Sequence, residues 1–248
     1  MERRYARPQT GLPPFKIEDV NKKAIRGLKG MYNLYSMTSS HATIRERAHA
    51  MRDHTTNQLC MHAIVPKQMA PVVRVARDGV RELVSMRWGF PPPTSSEGSL
   101  VTSIRNPASH WWRPGCRIEQ RCLVPMTSFC DHVGKPASPY WFALDEMRSL
   151  FFVAGVWRLW VGRPGQNSLP ANGDHLLYSF LTTEATASAT QPKFMPVLLL
   201  DKTARDTWLN GSLEQALALQ RRTPEGDLRI RVVAMGKKRD GPPAATAA

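Results

Sequence analysis

Eight short apolar or alternating runs dominate the chain between residue 70 and residue 235: APVVRVA, ELVSMRWGF, CLVPM, YWFALD, LFFVAGVW, LLYSFLTT, MPVLLL and LRIRVVAM. Each is bounded by Pro, Gly, Ser or Asp clusters and is rich in β-branched and aromatic residues, which is the pattern of strands rather than helices. No helical stretch alternates regularly with them, no repeat of 20 to 50 residues recurs, and neither GxGxxG nor GxxxxGK[ST] is present, which argues against a nucleotide-binding α/β fold. The expectation is an α+β domain with a barrel-like core. Two helices are expected outside the strand region. One runs from Ser39 to Arg52 with Ser39 or Ser40 as its N-cap, and one lies within Leu200 to Gln220 around WLNGSLEQALALQ.

The folded unit is bounded by two stretches of different composition. Residues 1–30 carry three prolines and no sustained period, and they end just before a second methionine, Met31, so they read as a flexible basic extension or a misassigned start. Residues 236–248 have the composition of a disordered tail. The domain is therefore expected over 31–235. With 42% hydrophobic and 22% charged residues this is an ordinary globular composition. No window approaches 18 apolar residues and no secretory h-region opens the chain, so no membrane association is expected, and a cytoplasmic monomer is. The net charge of +14 favours polyanionic partners, although the first thirty residues alone hold eight basic and three acidic side chains.

Most catalytic signatures are missing. Cys60, Cys116, Cys122 and Cys130 form no CxxC pair, and the seven histidines form no HExxH, so neither a metal nor any other cofactor is expected. Ser128 and Ser179 lack a GxSxG elbow, and Cys122 and Cys130 flank the apolar LVPMTSF, where a thiol is buried and inert. One pattern stands out. Arginine alternates with aromatics in MRWGF, HWWR and VWRLW, an arrangement in which rings stack bases while guanidinium groups neutralise phosphate. Core packing accounts for Trp88 and Trp157 equally well.

A series of blocks in order, MYNLYS (31–36), QMAPVV (68–73), MRWGFPPP (86–93), TSIRNPAS (102–109), RCLVPMTSFCDH (121–132), WFALD (141–145), AGVWRLW (154–160), FLTTE (180–184) and PKFMPVLL (192–199), resembles the SRAP family of SOS-response-associated, abasic-site-processing proteins. The resemblance implies a single α+β domain, with a mixed, mostly antiparallel barrel-like core and flanking helices, that binds single-stranded DNA in a basic groove. It also implies nucleoid association on DNA damage. In that family an N-terminal Cys condenses its amine with the aldehyde of an abasic sugar and closes a thiazolidine with its thiol. An Asn and an Arg position the substrate, while a Glu and a His move protons.

At those positions this chain differs. The family's Cys is Tyr32, whose phenol cannot close the ring; the Asn is Ser103, the Glu is Asp131, and the His is Gln191, which cannot shuttle a proton. Arg105 is retained. The implied DNA contacts are Arg105, Lys193, Trp88 and Asn33, on single-stranded or abasic-site DNA. The reading is a DNA-binding module that has lost the covalent and autopeptidase chemistry. Its alternatives are an enzyme with residual Schiff-base chemistry from the Met31 amine assisted by Asp131, and a paralogue with no role on DNA.

Overall fold

The computed structural model describes residues 34–55, 60–91, 100–110, 112–133, 138–161, 174–184, 194–221 and 231–235. The extension 1–30 and the tail 236–248 lie outside them.

Five of the expected apolar runs close on one another. β4 (Met69–Val75) pairs antiparallel with β5 (Arg81–Trp88), and β5 runs parallel to β11 (Asp174–Glu184). β11 pairs antiparallel with β10 (Phe151–Val161), β10 with β7 (Arg121–Met126), and β7 returns to β4. The circuit leaves none of these five strands as a free edge, which is how a barrel satisfies its backbone without a neighbour. Short strands decorate it: β2 (Arg52–Asp53) on β5, β6 (Ser103–Ile104) and β12 (Phe194–Pro196) on β11, and β13 (Leu198–Leu199) on β10.

A second, fully antiparallel sheet has the order β14 (Arg231–Met235), β9 (Ser138–Ala143), β8 (Ser128–Val133), β1 (Leu34–Met37), β3 (Met61–Ile64). The chain passes from barrel to sheet through a single residue, Thr127, between β7 and β8. That corner is pinned to β1: Thr127 N–H donates to the Ser36 carbonyl at 2.8 Å, and Thr38 N–H donates to Thr127 Oγ1 at 3.3 Å. A strand that changes sheets at a sharp bend needs its freed backbone groups taken up in this way.

The first helix, α1 (His41–Ala48), is shorter than the expected 39–52. Ser40 is the cap, accepting from Thr43 N–H at 3.1 Å, and the helix buries Ile44 and Ala48 one turn apart. It stops because His49 turns left-handed at φ 53°, after which Arg52 and Asp53 are claimed by the edge of β5. The expected helix in 200–220 is likewise two: α2 (Lys202–Asn210), capped by Asp201, and α3 (Leu213–Ala218), opened by a capping box of Ser212 and Gln215. Gly211 separates them. A Cβ there would lie 2.6 Å from the Thr207 carbonyl oxygen. α2 is fastened to the barrel by Trp208, fully buried, whose indole N–H donates to the Cys122 carbonyl at 2.9 Å, and by buried Arg121, which donates to the Trp208 and Gly211 carbonyls at 3.1 and 2.7 Å.

Candidate functional site

β1 is buried along its whole length because it lies between β8 and β3. Its register against β8 sets Leu34 opposite Cys130, one residue from Asp131. Tyr35 then fixes where β1 meets the barrel. Its ring packs edge-on to Trp88 at 5.1 Å and to Phe180 at 6.3 Å, and its phenol is hydrogen-bonded to that of Tyr178. Each buried hydroxyl satisfies the other. Burial pushes both phenols above the ordinary tyrosine range, so both stay neutral at physiological pH.

Phe180 links this corner to the next strand. It is the register partner of Ser103, and Leu181 is the partner of Ile104. The start of β1 at Leu34, half-buried Asp131 and half-buried Ser103 are therefore gathered around one junction of sheet and barrel. Arg105 follows directly. Its guanidinium lies 3.7 Å above the centroid of Phe194, while its residue is exposed and has no carboxylate partner among the described residues. The loop is held in place by Gln220, whose amide donates to both the Arg105 and Thr182 carbonyls at 2.7 Å. A guanidinium over a ring on an exposed residue is accessible to an anion.

Four of the expected site positions, Tyr32, Asn33, Gln191 and Lys193, fall outside the described residues. Trp88 is a correction: it is wholly buried, stacked on Phe180 at 5.5 Å, with its indole N–H donating to the Thr102 carbonyl at 3.0 Å. A ring enclosed on all sides offers no face to a base. The thiols of Cys122 and Cys116 are also unsuited to nucleophilic work. Burial raises both, that of Cys116 to about 11, leaving them protonated near neutral pH. Two contributors were not legible beforehand: Phe194 as the ring beneath Arg105, and Gln220 as the tie across helix and loop. Neither residue type carries a functional signal alone.

A sequence profile of the SOS response associated peptidase (SRAP) family matches residues 31–236. The chain belongs to the SRAP family. Solved structures share the fold. A protein from Bordetella bronchiseptica shares 18% identity with a TM-score of 0.62, over 83% of this chain and 99% of that one. One from Bacteroides thetaiotaomicron shares 17%, TM-score 0.59, over 80% and 90%. A phage-related protein from B. bronchiseptica shares 16%, TM-score 0.57, over 81% and 92%. At these identities the likeness is one of fold. No curated protein matches the chain in sequence. The SRAP assignment carries a DNA-related role in the SOS response at the level of the family. Among the described residues no helix is long and apolar enough to cross a membrane.

Proposed function

We propose that this SRAP protein binds single-stranded DNA, abasic-site DNA included, without forming the family's covalent adduct. The observation that supports this most is Arg105, an exposed guanidinium laid on Phe194 beside Ser103 with no carboxylate to neutralise it. A phosphodiester is a suitable counterion for such a group, and the net charge of +14 adds long-range attraction. Lys193, adjacent in sequence to Phe194, and Asn33, adjacent to Leu34, are assigned to the same strand contact.

The chemistry is lost for a stoichiometric reason. Thiazolidine closure needs one residue that supplies both a free amine and a thiol, and Tyr32 supplies no thiol. An aldehyde at an abasic site thus meets a phenol, which at neutral pH is protonated and a poor nucleophile. Asp131 is one methylene shorter than the family's Glu, and Gln191 cannot carry a proton.

The test is fluorescence anisotropy of labelled intact and abasic oligonucleotides, with denaturing gels alongside. Binding is expected at low ionic strength, weakening with salt, and Arg105→Gln is expected to flatten the dependence of log K on log salt by about 0.7. Failure to bind at any ionic strength would overturn the proposal.

A further inference from the structure

The three segments in which arginine alternates with aromatics, MRWGF, HWWR and VWRLW, are far apart in sequence. They meet at one end of the barrel. The register sets Arg158 of β10 beside Leu177 of β11, and Leu177 beside Arg87 of β5, so the two arginines flank a buried leucine on one face, two strand spacings or about 10 Å apart. Arg158 lies 4.6 Å above Phe90, Phe90 packs on Trp112 at 5.6 Å, and Trp160 follows on the same face as Arg158.

Both arginines are left with unmet hydrogen-bonding capacity. The Nε–H of each is buried and finds no acceptor, and Arg158 meets no carboxylate among the described residues. Arg87 has one acceptor, the Lys67 carbonyl at 2.6 Å. Burial also pushes the Arg158 guanidinium below its ordinary range, the mark of a cation desolvated without a counterion. Hydrophobic side chains of similar volume would fill these positions at lower cost, so the cations are better explained by an anion that completes them.

We infer that this face is a second strand-binding surface, where Arg158 and Arg87 take phosphate groups of a single-stranded nucleic acid and the half-buried rings of Trp112 and Trp160 pack on its bases, buried Phe90 serving only as the support beneath Arg158. It deepens the DNA-binding reading but is separate from the Arg105 site. Side chains alternate across a strand, so Leu177 lies on the opposite face of β11 from Phe180, the partner of Ser103. A strand engaging both would pass over the rim of the barrel.

The experiment uses the full-length protein. An unlabelled deoxythymidine decamer and inorganic phosphate are each titrated against the ¹⁵N-labelled chain while the arginine Nε–H resonances are followed, and decamer affinity is measured across salt for wild type, Arg158→Gln, Arg158→Lys and Arg105→Gln. The expected result is a saturable decamer-induced shift of the Arg158 resonance, with the salt slope reduced by about 0.7 in Arg158→Gln and retained in Arg158→Lys. Arg158→Gln should melt within a few degrees of wild type, because the cation it removes meets no carboxylate among the described residues and gives up only its contact with the Phe90 ring. Unchanged slope and affinity in Arg158→Gln beside a loss in Arg105→Gln would refute this surface and leave the first site standing. A loss in Arg158→Gln alone would support it at the expense of Arg105. A shift with inorganic phosphate but none with the decamer would make it a free-anion site and overturn the strand assignment.

Discussion

Gly155 sits in β10 hard against β7, and replacing it with alanine should be costly for a reason the geometry makes explicit. A Cβ at that position would lie 2.7 Å from Val124 Cγ2 and 2.8 Å from Cys122 Sγ, both on β7. Ordinary contact is about 3.5–4.0 Å, so β7 and β10 would have to part by most of an ångström or two buried side chains would have to leave their rotamers. Neither is easy. Gly155 and Cys122 are register partners, and their carbonyls both accept from the Trp208 indole. Overpacking of this kind costs about 1–3 kcal/mol, which for a domain of this size lowers Tm by about 2–4 °C per kcal/mol. Urea denaturation of Gly155→Ala, Cys122→Ala and the double variant tests it. Removing Cys122 Sγ takes away one of the two collisions, so the double variant should be less destabilised than the sum of the singles by at least about 0.5 kcal/mol. A Gly155→Ala protein within about 0.5 kcal/mol of wild type would refute the close approach of β7 and β10, and additive effects would refute Cys122 as its partner.

Two pH dependences follow from the buried groups. Tyr35, Tyr178, Cys116 and Cys122 all have folded-state pKa values raised above their unfolded ones by burial, so their contribution is fully present below about pH 8.5 and is lost as pH rises through the alkaline range. Urea midpoints should fall steadily above that pH, and Tyr35→Phe should shallow the decline; a midpoint constant to pH 11 would contradict the buried phenol pair. At the acid end, Asp206 is partly desolvated, which works to raise its pKa, yet bonds from Lys202 and Arg81 outweigh that and hold it below the ordinary carboxylate value. Its contribution is present above about pH 4 and lost below it. Asp206→Asn should cost about 1 kcal/mol near neutral pH and flatten the acid limb of the stability curve; an unchanged acid limb would show that the α2 to β5 tie contributes nothing.

The strands were legible because their signal is local. Short apolar runs between breakers can only be extended and paired, and β4, β5, β7, β9, β10, β11 and β14 fall within or across those runs. The helix ends were less so. The left-handed turn at His49 and the break at Gly211 depend on Arg52 pairing with Glu82 and on Arg121 reaching the α2 carbonyls, which are contacts distant in sequence. The same holds for function. Trp88 is indistinguishable in sequence from a surface tryptophan, and only the approach of Tyr35 and Phe180 from other strands encloses it. Conversely, the pairing of Arg158 and Arg87 across Leu177 depends on a parallel contact between β5 and β11, strands separated in sequence by β6 to β10, and no spacing rule reaches that far.

The central claim is that the SRAP scaffold here holds DNA without bonding to it, and the form starting at Met31 tests it with an abasic single-stranded oligonucleotide run on paired native and denaturing gels, wild type beside Tyr32→Cys. The account predicts a retarded native band for wild type that vanishes on the denaturing gel, and a denaturation-resistant band once Cys replaces Tyr32. A denaturation-resistant band from wild type, or no retarded band from either protein, would contradict it.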